Sequence, residues 1–220
     1  MNRNFPSNIA AILMTGSCVG VQTKKCVSIC FSNIVDFTAI RGSLEPSTVF
    51  HMLNRLFAKL DRLADHHGVQ CIDCIDGCYL AAANCSSQQP ADHALRLARF
   101  ATDAVAAARA THIDPDRPEL GRVSLRAGLH CGAVCCSVLG AHGGRKFTLV
   151  GDAVNVASRM ESQGAAGAAQ CSAAFAAEAA AEAAAGRGEG LRLAPREGGL
   201  QVRGRGPMPM QTFWVGRAPQ

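Results

Sequence analysis

The stretch Val69-Gln70-Cys71-Ile72-Asp73-Cys74-Ile75-Asp76-Gly77-Cys78-Tyr79-Leu80-Ala81-Ala82 decides the fold. It reads as two strands, Val69 to Ile75 and Cys78 to Ala82, joined at Asp76-Gly77, a pair that favours a tight hairpin turn. Upstream, Pro46 suits a first helical turn, and Val49, Met52, Leu53, Leu56, Phe57, Leu60, Leu63 and Ala64 recur at helical spacing until Gly68. Downstream of Gln89-Pro90, Ala94, Leu97, Ala98, Ala101 and Val105 form the stripe of a second long helix. A β-branched, apolar run from Lys25 to Ile34 precedes the first helix and reads as a central strand. After the second helix, Val123 to His130, a turn near Cys131-Gly132 and Ala133 to Leu139 read as another hairpin. The order strand, helix, two strands, helix, two strands predicts an α+β, ferredoxin-like split β-α-β sheet with helices on one face.

Further along, Phe147-Thr148-Leu149-Val150-Gly151-Asp152-Ala153-Val154-Asn155-Val156-Ala157-Ser158-Arg159-Met160-Glu161 reads as a strand (Lys146 to Val150), a Gly-Asp turn whose carboxylate can cap a helix, and that helix. Asn155 and Arg159 are one turn apart, so they share a face of the helix. Residues 164 to 186 are Ala-rich and favour helix. Short strands are expected at Leu191 to Leu193, Leu200 to Val202 and Thr212 to Val215, divided by glycine-rich breaks. Residues 1–22 carry neither periodicity nor a turn code and are expected to be a poorly ordered leader or linker. The expected domain occupies residues 23–217, with 218–220 as a tail.

The 220 residues suffice for one substantial core, and 48% hydrophobic with 18% charged residues describes a globular chain. The net charge of +5 is spread without any run of five like charges, so nothing prompts a nucleic-acid partner. Apolar runs fall short of the roughly 18 residues that span a bilayer, and Ile9 to Met14 is short for a signal-peptide core. Direct membrane insertion is therefore not expected, and the chain reads as cytoplasmic, free or as the cytosolic portion of a larger membrane protein. Of the 11 cysteines, Cys71, Cys74 and Cys78 include a C-x-x-C, yet no second pair follows at zinc-site spacing. Cys26, Cys30, Cys71 and Cys131 lie in apolar strand-like runs, where a free thiol packs as a small hydrophobe.

Four landmarks stand in order: Phe31-Ser32-Asn33-Ile34-Val35-Asp36-Phe37-Thr38, the Ile75-Asp76-Gly77-Cys78-Tyr79 hairpin, Gly128-Leu129-His130-Cys131-Gly132, and Gly151-Asp152 through Glu161. Together they resemble the catalytic domain of class III nucleotidyl cyclases, the adenylate and guanylate cyclases, from about Lys25 to Val215. The resemblance implies a nucleotide cyclase domain with extra C-terminal helix and strands. It implies formation of a cyclic nucleotide and pyrophosphate at sites shared by two domains packed head to tail, with two Mg2+ or Mn2+ ions on one half. On the other half it implies that Asn155 orients the ribose, Arg159 meets the α-phosphate and Arg203 contacts the terminal phosphates. Asp73 and Thr148 match the base-selecting positions. A carboxylate accepts from guanine N1–H and its amine, and a hydroxyl donates to O6, so GTP is favoured over ATP.

The same resemblance exposes a departure. The family's two metal-binding aspartates fall at Asn33 and Gly77; Asn is a weaker ligand for a hard dication and Gly offers none. Asp36, in place of a glycine beside the phosphates, and Asp76, one residue out of register, are weak substitutes. No metal ligands are therefore expected in this chain. The resemblance implies the base- and transition-state-contributing half of a guanylate cyclase heterodimer, inactive or very weak as a homodimer. A pseudocyclase serving dimerisation or nucleotide binding, an adenylate cyclase half-site, and a cysteine-based redox or metal module are the competing readings.

Overall fold

The computed structural model describes residues 5, 7–15, 19–140, 145–187, 191–200 and 209–217. Helix α1 (Ser7–Met14) leads into strand β1 (Gln22–Ile34), a short helix α2 (Phe37–Ser43) and the long helix α3 (Pro46–His67). The hairpin follows as β2 (Gln70–Ile75) and β3 (Cys78–Ala83), then α4 (His93–Arg109) and β4 (Leu125–Leu139). The chain continues through β5 (Lys146–Val150), α5 (Asp152–Ser162), β6 (Ala169–Ser172), α6 (Ala173–Glu182), β7 (Leu191–Pro195) and β8 (Thr212–Arg217). The strands form one mixed sheet in the order β2-β3-β1-β4-β6-β8-β7, with β5 on the far end of β4. Only the β4–β6 pairing is parallel among those described. The α+β class read from the sequence is the class observed, extra C-terminal helix and strands included.

Local chemistry sets the boundaries of the first half. Pro46 opens α3, and Gly68, in the left-handed region at φ 64°, closes it by donating to the Asp65 carbonyl. Asp76 and Gly77 both take positive φ, 49° and 78°, the backbone of a type I′ hairpin turn. The apolar stripes of α3 and α4 are buried as their periodicity requires, against Cys30, Tyr79, Ala81, Leu125 and Leu129 on one face of the sheet.

Two expectations are corrected. There is no turn at Cys131-Gly132: β4 is one 15-residue strand that pairs with β1 from Leu125 to Cys136, and the true hairpin joins its far end to β5. The glycines serve close approach instead. A Cβ on Gly128 would stand 1.9 Å from the Glu161 amide nitrogen, and one on Gly132 3.0 Å from the Ala153 Cβ, so α5 lies directly on β4. Consequently helices cover both faces of the sheet, not one. α5 and the buried Ile9 of α1 join Val27, Ile29, Val134, Phe147 and Leu149 in a second core opposite α3 and α4. Within the Ala-rich segment, Ala169–Ser172 is a fully buried strand before α6 begins. Of the strand expected at Leu200 to Val202, Leu200 bridges Met210, and Gln201 and Val202 lie outside the described residues.

Candidate active site

The residues singled out in the sequence gather in two places. At the C-terminal end of β1, an open cleft of about 610 Å3 is lined by Asn33, Asp36, Phe37, Thr38, Arg41, Asp76 and Arg126, among others. The other group is spread over β2 (Asp73), β5 (Thr148) and α5 (Asn155 and Arg159), with Thr148 alternating with Phe147 and Leu149, which are buried against α5. Arg203 lies outside the described residues.

Around the cleft the carboxylates are badly placed for a dication. Asn33 sits in β1 between Cys78 of β3 and Arg126 of β4 and contributes a neutral amide. A side chain at Gly77 would be strained: beyond the positive φ there, its Cβ would stand 2.9 Å from the Phe37 ring. Asp76 pairs instead with Arg41 at 3.3 Å, both side chains mostly exposed. Asp36 holds a left-handed backbone at φ 54°, which Asp tolerates but Gly adopts more readily, and begins α2 without a side-chain cap. Sequence reading missed Arg126, a cation in this cleft. Its Nε donates to Glu161 at 2.6 Å, and Glu161 is buried at the end of α5, so the guanidinium is steered from the helix next door.

On the other side, Asp73 follows an irregularity between Cys71 and Asp73 in the β2–β3 ladder. One carboxylate oxygen accepts from the Cys74 amide at 2.9 Å, and the other pairs with Lys146 Nζ. Lys146 lies on β5 two residues before Thr148 and on the same side of that strand, so the ion pair draws Asp73 toward the threonine. Lys146 was also missed, because its partner is 73 residues away in sequence. α5 buries Ala153, Val156, Ala157, Met160 and Glu161 against β4. This leaves Asn155 exposed and Arg159 half-buried on the outer side, one above the other. Gly151, not Asp152, occupies the N-cap, and Asp152 is the first helical residue, where its charge complements the helix dipole.

Residues 19–217 match the model of the adenylate and guanylate cyclase catalytic domain. The chain belongs to that family. It is 30% identical over 219 residues to the receptor-type guanylate cyclase gcy-7 of Caenorhabditis elegans, covering 97% of this chain and 18% of the receptor. It is 35% identical over 165 residues to the atrial natriuretic peptide receptor 2 of Homo sapiens, covering 74% of this chain and 15% of the receptor. The chain thus spans less than a fifth of the length of these relatives. Among solved structures, the guanylate cyclase domain of RhGC from Catenaria anguillulae in complex with GTP superposes with a TM-score of 0.77 at 29% identity, covering 90% of this chain and 100% of that one. A non-canonical dimeric guanylyl cyclase domain of the RhoGC fusion protein from Blastocladiella emersonii gives 0.75 at 29% identity, with 90% and 99% coverage.

Class III cyclases use two metal ions. The cyclase chain described here does not fit that pair: at the positions the resemblance points to stand a neutral amide and a glycine, and of the two cleft carboxylates Asp76 is tied to Arg41.

The ten described cysteines are all free thiols. Cys30, Cys131 and Cys171 are buried; desolvation pushes the Cys171 thiol up to about 12 and raises Cys30 further. Cys26 and Cys71 are half-buried, and each is lowered by a neighbouring thiol, Cys131 and Cys74 respectively. The Cys71 and Cys74 sulfurs lie 3.3 Å apart.

Proposed function

We propose that this domain forms cyclic GMP and pyrophosphate from GTP as one half of a cyclase dimer, its partner domain holding both Mg2+ or Mn2+ ions. The observation carrying the proposal is the contrast within one chain: the cleft at the end of β1 has lost its ligand set, while the α5 face keeps its polar groups on ordered elements. Asn155 orients the ribose, and Arg159 opposes charge building on the α-phosphate with a planar, always-charged fork. Asp73 and Thr148 read the guanine edge, and Arg203 meets the terminal phosphates. Support for GTP comes from the receptor-type guanylate cyclase gcy-7 and from the RhGC guanylate cyclase domain solved with GTP; the RhoGC guanylyl cyclase domain, a non-canonical dimer, supports self-association of such domains. Residues 23–217 form the working domain, on the cytoplasmic side of a larger receptor-type protein such as its relatives are. No helix among the described residues is long and apolar enough to cross a membrane.

A second reading, a pseudocyclase that binds nucleotide or a partner without turnover, is favoured by one contact. Lys146 occupies the Asp73 carboxylate that guanine would need. Cyclic-nucleotide production from GTP and from ATP, with the domain alone and mixed with a metal-competent cyclase domain, separates these readings. The proposal expects product only in the mixture and mainly from GTP. Product from ATP in the mixture would make this an adenylate cyclase half-site, and none in any mixture would leave the pseudocyclase.

A further inference from the structure

Beside the middle of β1, away from the nucleotide cleft, a buried imidazole faces two carboxylates. His93 is the first residue of α4, and its side chain is 2% exposed. Its Nδ1 lies 2.8 Å from Ser28 Oγ on β1. In the tautomer whose Nδ1–H donates to that hydroxyl, Nε2 presents a lone pair toward α6. There Glu178 and Glu182, one helical turn apart, place carboxylate oxygens 3.5 and 3.8 Å from Nε2. All three ligand atoms lie within 4.8 Å of one another.

These distances are informative because they are too long for a direct hydrogen bond, which runs about 2.7–3.2 Å. They suit ligand atoms arranged around a small dication. Two atoms bound at roughly 2.0–2.1 Å from zinc and separated by a tetrahedral angle are about 3.4 Å apart. We propose that His93, Glu178 and Glu182 form a zinc-class metal site that clamps α6 to the start of α4, separate from the catalytic metals.

Three further features fit. Both oxygens of Glu182 accept from the first turn of α4, from the Ala94 amide at 3.0 Å and the Leu95 amide at 2.8 Å. This fixes the carboxylate in the way that outer hydrogen bonds hold metal ligands, and Ser28 does the same for the imidazole. An imidazole nitrogen set beside two carboxylates is a donor mixture that suits zinc better than magnesium, which favours oxygen ligands alone. Glu178 is 37% exposed, giving the ion a route in and leaving a coordination position for water. Ser28 and Asn33 stand roughly 17 Å apart along β1 at the usual strand rise, so the clamp lies clear of the cleft.

The test uses the reduced, chelator-treated chain titrated with Zn2+ against a chromophoric competitor and with Co2+ by visible absorption. One equivalent bound per chain at sub-micromolar affinity is expected, with Glu178→Gln weakening it about 10- to 100-fold at unchanged circular dichroism. Cys71→Ser with Cys74→Ser is expected to leave affinity unchanged. X-ray absorption of the wild-type zinc form reports independently of any variant's folding, and nitrogen and oxygen ligands at about 2.0–2.2 Å are expected. Absence of stoichiometric binding would reduce the cluster to a histidine–carboxylate ion-pair network and overturn the proposal. So would binding lost with the Cys71/Cys74 pair, or a shell of two or more sulfurs. No arm reads cyclase turnover, so the outcome is independent of the function proposed above.

Discussion

The cleft at the end of β1 and the face under α5 are built on the same strands, yet they have fared differently. In the cleft, Asn33 and Gly77 stand where the family resemblance would put metal ligands, and the Asp76-Gly77 turn has a geometry that strains any side chain added at 77. On the α5 face, glycines at 128 and 132 still hold the helix against β4, and Asn155 and Arg159 still project outward. That contrast is what the proposed division of labour between two domains requires, and the two regions can be tested separately.

The sharpest way to break this comparison is Arg159→Ala in a mixed dimer. Loss of a group that opposes transition-state charge is expected to cost about 10^3-fold or more in cyclic GMP formation, with dimerisation unchanged by sedimentation. Turnover within about tenfold of the parent would remove Arg159 from the chemistry. Next in size is repair of the cleft. Asn33→Asp, Asp36→Gly, Asp76→Gly and Gly77→Asp together are expected to raise homodimer activity by about 10^2-fold with manganese, since a carboxylate ligand replaces an amide and an empty position. A folded, dimeric quadruple variant without any gain would show that metal loss is not the defect.

The scaffold side is probed by Gly128→Ala. Its methyl would overlap the Met160–Glu161 backbone, and a loss of about 3 kcal/mol in urea unfolding is expected. A loss below about 1 kcal/mol would mean α5 is not seated as described. Smaller still is Gly77→Asp alone, expected to cost about 1–2 kcal/mol because the new side chain must enter a left-handed backbone against Phe37. Adding Asp76→Gly should recover part of that cost, since a Gly-Asp pair suits a type II′ turn in which only the glycine takes positive φ. Equal melting temperatures for the single and double variants would contradict this. The smallest effect belongs to Arg41→Ala. Its ion pair with Asp76 is exposed on both sides, so a change within about 0.5 kcal/mol is expected by thermal melting.

Much of this was legible in the sequence where one residue type has one local use. Pro46, Gly68 and the Asp76-Gly77 pair mark their boundaries because backbone conformation alone dictates them. Gly128 and Gly132 misled because glycine serves turns and close approach equally, and only the position of α5 reveals which applies. Strand β6 was hidden by alanines, whose helix propensity is overridden by pairing with Leu129 and Phe213 on either side of Cys171. Within the site, Asn155 and Arg159 were readable because one helix holds both. Lys146 with Asp73 and Arg126 with Glu161 were not, since pairs 73 and 35 residues apart leave no local signal.

The unbroken length of β4 also governs how the chain comes to be folded. β1 lies between β3 and β4, and its β4 partner arrives roughly 100 residues later, a separation that makes pairing slow to nucleate. During synthesis α3, the β2–β3 hairpin and α4 can assemble first, but β1 keeps one open edge until Leu139 has left the ribosome. Val27 and Ile29 wait longer still, until α5 (Asp152–Ser162) has emerged to cover them. The growing chain therefore passes through a stage with an apolar sheet edge in water, and that stage is where a chaperone has the most to hold.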